Sequence, residues 1–190
     1  MAEGDTKGRI LDVAERLVQR RGFNGFSYAD VAAELGITRA ALHYHFTGKA
    51  ELGQAIVERY AGRFADALAA IGASGAAAPA KLDAYAELYL DVLRDDRMCL
   101  CGMLAAEFGT LSPPMQDTLT RFFDDNERWV RAVLDEGVTA GSVHLAGPSD
   151  EAARLIVGAL EGAMLITRPY RDPARFHAAA AQLIRSLTVA

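Results

Sequence analysis

The segment ITRAALHYHF, residues 37–46, concentrates side chains that could do chemistry: a threonine, an arginine, two histidines and a tyrosine within ten positions. Such residues serve metal centres, catalytic histidine pairs and surfaces that contact another molecule. His43 and His45 are two residues apart, and in a helix this spacing turns one side chain about 200° away from the other. They therefore cannot share a metal ion or act as a pair, which favours the contact surface.

We predict that this segment forms a helix over 38–46 with Thr38 as its N-cap. Residues placed at about 100° intervals separate into two faces. The face that should pack in the core holds Ala41, Leu42, His45 and Phe46. The opposite face holds Arg39, Ala40, His43 and Tyr44. The second face suits a DNA major groove, because arginine can fork onto guanine and a short alanine lets the backbone approach. An ordinary solvated helix face is the alternative.

Two helices should precede this one and position it. Apolar residues at helical spacing from Ile10 to Val18 predict a first helix, which begins near Thr6 and ends at Gly22. Ser27 with Asp30 three positions later is a capping-box variant, so a second helix should begin there and end at Gly36. Two helices joined by a short glycine-containing turn are typical of a helix-turn-helix.

Further cations and hydroxyls lie near the predicted DNA-binding face. Ser27 and Tyr28 stand at the start of the second helix, and Lys49 stands at the start of the fourth. Helix N-termini attract anions, so these three residues are candidates for phosphate contacts. His45 belongs to the inner face, where we expect a packed or capping histidine rather than a ligand.

The rest of the chain predicts helices throughout. The fourth helix follows Thr47-Gly48 and is broken by 72–80; later helices are expected at about 81–94, 98–109, 115–137, 149–167 and 173–188. No alternating strand pattern persists and no repeat is visible. We therefore expect an all-α chain of about nine helices, with a DNA-binding domain over 1–50 and a helical body over 51–190.

Charge and composition limit the possible functions without choosing one. The net charge is −5, but residues 1–50 carry about +1 and the remainder about −6, so a DNA-binding segment on an acidic body is allowed. No secretory signal opens the chain, and the most apolar run, 155–166, contains Glu161 and is too short to span a bilayer. We expect a cytoplasmic protein that does not contact a membrane.

No arrangement typical of an enzyme appears. The sequence has no Ser-His-Asp set, phosphate-binding glycine loop or carboxylate pair at usable spacing. His144 and His177 are too scattered for a zinc site. We therefore expect neither catalytic activity nor a bound metal or cofactor.

The segment SYADVAAELGITRAALHYHFTGKAEL, 27–52, resembles the helix-turn-helix signature of the TetR family of transcriptional repressors. The matching features are Val31-Ala32, Leu35-Gly36-Ile37, Leu42, His45-Phe46, Lys49 and Leu52. Family members usually carry tyrosine at the position of His43, so either His43 or Tyr44 would make the backbone contact that this tyrosine makes. The resemblance implies a homodimer whose paired helices bind a palindromic double-stranded operator.

The resemblance also implies a small-molecule pocket in the C-terminal body. Methionine and aromatic side chains adapt to irregular apolar ligands, and this part of the chain is rich in them. The candidates for a mostly apolar effector are Tyr85, Tyr89, Met98, Met103, Phe108, Phe122, Phe123 and Trp129, with Glu107 as a polar anchor. Ordinary core packing is the alternative for each of them.

The body should also form the dimer interface, for which two apolar stripes are candidates. The first holds Leu155, Gly158, Ala159, Gly162, Ala163 and Ile166, whose small residues let another helix approach closely. The second lies on the last helix and holds Phe176, Ala180, Leu183, Ile184 and Leu187. Burial of both stripes inside one protomer is the alternative.

Cys99 and Cys101 suggest a different way of regulating DNA binding on the same fold. Within a helix they would lie about 200° apart and could neither bridge each other nor bind one metal ion, whereas in the loop before a helix either would be possible. A thiol at a helix N-terminus is more acidic and more reactive, and Arg97 would help. Some members of the family that this chain resembles sense electrophiles through a cysteine near this place. A thiol-based sensor is therefore the alternative function. The other interpretation is that both cysteines are buried and unreactive.

Overall fold

The computed structural model describes residues 3–188, with side chains from Thr6 onward. It is 80% helical, and the described residues form no strand beyond an isolated antiparallel bridge between Val143 and Thr188. The nine α-helices in the described part are α1 Glu3–Arg21, α2 Tyr28–Leu35, α3 Arg39–His45, α4 Lys49–Gly72, α5 Ala78–Arg94, α6 Leu100–Ala106, α7 Pro113–Thr139, α8 Ser149–Thr167 and α9 Pro173–Leu187. Turns of 3-10 helix occupy Phe108–Thr110 and Arg168–Tyr170. The predicted all-α fold is confirmed.

Local capping explains why α2 and α3 form where the sequence predicts. The Ser27 backbone N–H donates to Asp30 Oδ2 at 2.7 Å, and the Asp30 N–H donates to Ser27 Oγ at 3.4 Å, which completes a capping box. Gly36 ends α2 with φ +66°, a conformation that glycine adopts without steric cost. Thr38 caps α3 by accepting from the Ala41 N–H at 3.1 Å.

Three of the helices differ from their predicted bounds by three residues at one end. Helix α1 begins at Glu3 rather than near Thr6. Helix α5 begins at Ala78, inside the predicted break, because Pro79 falls in its first turn, where no backbone donor is needed. The helix predicted over 98–109 is shortened to α6, Leu100–Ala106, so Met98 and Cys99 precede it.

The chain divides into two compact units: residues 1–62 with 100–120, and residues 63–99 with 121–190. Helices α4 and α7 therefore contribute residues to both. In the first unit α1 packs on α2 and α6, and α2 packs on α3. Its core is built from apolar side chains that the helical spacing already selects, including Ile10, Leu17, Val31, Leu42, Phe46 and Leu52.

In the second unit α5, α8 and α9 pack on one another. This packing corrects one part of the predicted dimer interface. Phe176, Ala180 and Ile184 are buried inside the protomer, because α9 presents that face to its neighbours α5 and α8. Leu183 and Leu187, on the flank of the same helix, are half-buried.

Candidate functional site

Helix α3 presents the polar face that the sequence predicts. Arg39, Ala40 and His43 are exposed, and Tyr44 is 75% exposed although it is a large aromatic residue. On the other side Leu42 and Phe46 are buried, Ala41 and His45 are half-buried, and these four hold the helix to its unit. An exposed face of this kind, on a helix anchored by its opposite side, is able to contact another molecule.

The structure brings five of the predicted DNA-binding residues together around one concave surface. Together with Phe26 and Ala29, they line a groove of about 410 Å³: Ser27, Tyr28, Arg39, His43 and Lys49. The Tyr28 ring lies 4.8 Å from the His43 ring, and its hydroxyl donates to the Phe46 carbonyl at 3.1 Å. Burial, followed by the charge of Glu51, raises the pKa of Tyr28 to about 12, so this phenol stays neutral. The hydrogen bond and the ring contact therefore hold the Tyr28 side chain in place along the groove.

Lys49 has an additional internal role. Its Nζ donates to the Phe26 carbonyl at 2.5 Å and lies 4.5 Å from the Phe26 ring centroid and 4.9 Å from that of Phe23. Burial lowers the pKa of the ammonium, and the charges of Glu107 and Asp30 oppose that shift. An ammonium carries three donors, so one bond to a carbonyl is compatible with a phosphate contact.

Glu107, which the sequence suggested as a ligand anchor, holds the backbone of the helix-turn-helix instead. Its carboxylate accepts from the Phe23 N–H at 2.5 Å and from the Asn24 N–H at 3.2 Å. A side chain at Gly22 would meet this carboxylate at 2.8 Å, and Gly22 has φ +84°. The Glu107 oxygens are occupied by backbone donors 83 and 84 residues away, and no local sequence pattern reveals such a contact.

Four of the predicted ligand residues meet in the second unit. Tyr85, Tyr89 and Phe122 surround the ring of Phe64 with centroid distances of 5.1–6.2 Å, and Trp129 lies 5.5 Å from Tyr85. The ring centroid of Phe123 lies 5.3 Å from that of Phe122, so Phe123 extends this set. Met103 and Phe108 belong to the first unit, and Phe108 is exposed in a 3-10 turn, so these two do not join the aromatic cluster.

A chain of polar groups runs through this aromatic cluster. The hydroxyls of Tyr89 and Tyr85 are 2.9 Å apart, Tyr85 donates to Asn126 Oδ1 at 3.1 Å, and Asn126 Nδ2 donates to the Phe122 carbonyl at 2.7 Å. Burial raises the pKa of both tyrosines, and the nearby charge of Glu161 adds to the effect. No local sequence pattern singles out Asn126, and Glu161 stands out in the sequence only as an interruption of an apolar run.

Glu161 lies on α8 with its Oε1 buried and, among the described residues, without a hydrogen-bond partner. Burial raises the pKa of this carboxyl to about 7, and a hydrogen bond from the Cys99 side chain opposes the shift. Cys99 is itself buried, and its backbone N–H donates to Met164 Sδ at 3.1 Å. Cys101, in α6, is also a buried thiol. Neither sulfur has the exposure expected of a reactive cysteine.

A separate cleft of about 300 Å³ opens at the ends of α5 and α8. Met98 is the member of the predicted ligand set that lines it, beside Leu93, Thr167 and the four arginines 94, 97, 168 and 171. Arg94 is already bonded to Asp91 at 2.7 Å, and Arg97 to Asp95 at 2.5 Å. The cleft is therefore a polar surface feature, distinct in composition from the aromatic cluster.

The first predicted dimer stripe is open to solvent along much of α8. Leu155 and Ile166 are each 65% exposed, Gly158 and Gly162 are exposed, and Ala159 and Ala163 are half-buried. Leu165 adds a further exposed apolar side chain on this helix. Several large exposed apolar residues on one helix favour an association surface.

Two classes of feature are missing from the residues between 3 and 188. No group of three or more His, Cys, Asp or Glu side chains among them is placed to hold a metal ion. No helix in this described part is both long and apolar enough to cross a membrane.

Two family models cover the two parts of the chain. Residues 10–56 match the model of bacterial regulatory proteins of the tetR family, and residues 78–183 match the tetracycline repressor-like C-terminal domain. The second match alone spans more than half of the sequence. The chain belongs to the TetR family and is a DNA-binding transcription regulator with a helix-turn-helix. The family consists of regulators rather than enzymes.

Individual relatives agree with this classification. The chain is 41% identical over 54 residues to the HTH-type transcriptional regulator TtgR of Pseudomonas putida; this match covers 28% of the chain and about a quarter, 26%, of that relative. A TetR-family regulator from Agrobacterium tumefaciens has a solved structure with a TM-score of 0.94 at 28% identity, covering 98% of this chain and 99% of that one. A TetR regulator from Legionella pneumophila gives 0.87 at 30% identity, covering 99% and 100%.

Proposed function

We propose that the protein is a repressor that binds a palindromic operator as a homodimer and is released by a small effector. The observation that carries this proposal is the exposed polar face of α3 beside a groove lined by hydroxyls and cations. The face bearing Arg39, His43 and Tyr44 is exposed on α3, and the family to which the chain belongs binds DNA through a helix-turn-helix.

The residues divide into two kinds of DNA contact. Arg39 and Tyr44 are proposed to meet base edges in the major groove, and Ala40 lets the helix approach closely. Ser27, Tyr28, Thr38, His43 and Lys49 are proposed to position the protein on the phosphate backbone, a contact that carries no sequence information itself. The placement of Ser27, Tyr28, His43 and Lys49 around one groove supports this division.

The homodimer is proposed to form through the exposed face of α8. Leu155, Gly158, Ala159, Gly162, Ala163 and Ile166 supply an apolar, close-approach surface, and Leu183 and Leu187 of α9 are candidates for its rim. Two copies related by a two-fold axis would place two α3 helices on successive major grooves, which is why the operator should be palindromic.

The effector is proposed to bind in the second unit, at the aromatic cluster of Tyr85, Tyr89, Phe122 and Trp129. We keep the division into a DNA-binding domain over 1–50 and an effector and dimer domain over 51–190 as a proposal, with α4 as the segment that joins them. An effector loosens DNA only by its different affinity for the two conformations, typically about 1–3 kcal/mol.

A thiol-based sensor using Cys99 or Cys101 is the alternative function. The burial of both sulfurs favours the small-molecule effector over this alternative. Alkylation that abolishes operator binding in the parent, but not in the Cys99→Ser or Cys101→Ser variant, would establish the alternative instead.

The proposed function is tested by nuclease footprinting on the DNA upstream of the protein's own gene. We expect one protected region with two-fold symmetry, and binding that weakens steeply with salt. Absence of any sequence-specific protection there, and on a randomised operator library, would overturn the proposal.

A further inference from the structure

Glu161 is half-buried as a residue, but one of its carboxyl oxygens is not matched by its surroundings. Its Oε1 is sealed from solvent without a hydrogen-bond partner among the described residues. The pKa of this carboxyl is influenced by burial and by the Cys99 side chain, and no cation from the described residues is among these influences. An unsatisfied buried oxygen destabilises a fold, so one is retained only where something offsets that cost or where a ligand needs it.

The surroundings of Glu161 are aromatic and hydroxyl-bearing. Tyr85 and Tyr89 respond electrostatically to its charge, and both belong to the aromatic cluster. Tyr85 donates its hydroxyl proton to Asn126, so the hydroxyl of Tyr89 donates to Tyr85 and keeps acceptor lone pairs of its own. The Tyr89 ring also stacks on Phe176 with centroids 6.4 Å apart.

These groups select one charge type. A carboxylate and the faces of aromatic rings both attract a cation, and cation–π contacts strengthen when they are removed from water. A ligand carboxylate or phosphate would be repelled by Glu161, and a purely apolar ligand would leave Oε1 unsatisfied.

We propose that the cluster of Glu161, Cys99, Tyr85 and Tyr89 recognises the protonated amine of an otherwise apolar effector. Glu161 is the counter-ion, Tyr89 accepts a hydrogen bond, and the aromatic rings bind the apolar part. This inference rests on the proposed effector function of the second unit and names the chemical class of its ligand.

Binding of an amine should be linked to protons. The titratable groups that interact with Glu161 are Cys99 before α6 and, through its charge, Tyr85 and Tyr89 on α5, and the charge of Glu127 on α7 also acts on Tyr85. The two tyrosines stay neutral because their pKa values are raised, whereas burial raises the pKa of Glu161 to about 7, so its charge changes near neutrality. An amine that requires the carboxylate form should bind more tightly as the pH rises from 6 to 8.

The test compares 4-phenylbutylamine with 4-phenylbutan-1-ol, which share a skeleton and differ in charge. Calorimetry on the full chain at pH 8, without DNA, should give at least tenfold tighter binding of the amine. Glu161→Gln should abolish that preference, whereas Glu151→Gln, an exposed carboxylate on the same helix, should keep it. Equal binding of the two probes by the parent, no binding of the amine, or an unchanged preference in Glu161→Gln would overturn the proposal.

A second measurement needs no variant and so stands even if Glu161→Gln does not fold. The affinity of the parent for the amine should rise severalfold between pH 6 and 8, with the alcohol unchanged. A flat profile overturns the role of Glu161. A parent that binds its operator but not the amine refutes this site alone, whereas a parent that binds the amine but no DNA refutes the proposed repressor function.

Discussion

The two units of the molecule use polar residues in opposite ways. In the first unit the side chains proposed to contact DNA stand outside: Arg39 and Tyr44 are exposed, and the core beneath α3 is apolar. In the second unit the polar groups of Tyr85 and Asn126 are buried and bonded to each other, and the Oε1 atom of the half-buried Glu161 is also sealed from solvent. A large rigid polymer such as DNA must be met by a protruding surface, whereas a small molecule can be enclosed, so the difference in burial is the one that the two proposed functions require.

The largest effect should come from breaking the proposed dimer through the exposed face of the second unit. Ile166→Glu places a charge in the α8 stripe, so we expect monomers in analytical ultracentrifugation and more than a hundredfold weaker operator binding, because one half-site contributes little alone. Val138→Glu is the matched control, since Val138 is also apolar and 47% exposed but lies on α7. An Ile166→Glu protein that stays dimeric would remove α8 from the interface.

Next in size is the loss of a base contact from the first unit. Arg39→Ala should weaken operator binding by about 1–3 kcal/mol and relax the preference at one base pair in each half-site. Arg128→Ala, which removes an exposed arginine of the second unit, should leave both unchanged. Fluorescence anisotropy with operator and single-base variants measures this, and equal losses in the two variants would mean that only net charge matters.

The carboxylate of Glu107 should matter for the stability of the first unit. Glu107→Ala leaves the backbone donors of Phe23 and Asn24 without their acceptor, so we expect the free energy of unfolding to fall by about 1–3 kcal/mol. Glu34→Ala removes only an exposed ion pair with Arg16 and should cost less than about 1 kcal/mol. Chemical denaturation followed by circular dichroism compares them, and similar costs would show that the Glu107 bonds contribute little.

The last expected effect, confined to pH values above about 4.5, is a gain in stability from Glu161→Gln. Because the folded pKa of about 7 lies above the ordinary 4.5, the folded chain holds this proton more tightly, and stability falls as the pH rises from about 4.5 to 7. Glutamine carries no such penalty. The variant should therefore gain about 1–3 kcal/mol at pH 8 and almost nothing at pH 4.5.

Thermal unfolding of parent and variant at both pH values measures this gain. A difference that is the same at pH 4.5 and pH 8 would mean that the carboxyl is not strained by burial. A loss of stability confined to pH 8 would mean that its charge is already compensated.

The sequence predicted the first unit better than the second because its signals are local. The capping box of Ser27 and Asp30, the glycine at 36 and the faces of α3 all depend on residues within one or two turns. The interior of the second unit depends on contacts between distant helices, so Asn126 and Glu161 gave no local signal. The aromatic composition did indicate the cluster of Tyr85, Tyr89, Phe122 and Trp129.

Two errors have the same origin. Phe176, Ala180 and Ile184 follow helical spacing, but spacing alone does not show whether an apolar face packs within one protomer or against a second one. Glu107 lies near aromatic residues along the sequence, yet the fold brings its carboxylate to backbone donors of a loop about eighty residues earlier. Local patterns predict the faces of helices, and only the tertiary structure shows what each face contacts.

Methylation interference on the footprinted operator tests most directly whether α3 reads DNA through Arg39. If Arg39 forks onto a guanine, methylating N7 of that base should block binding of the parent at one guanine in each half-site. The Arg39→Ala protein, although weaker, should be indifferent to methylation at those two positions. An identical interference pattern in both proteins would show that the exposed face of α3 is not what recognises the sequence.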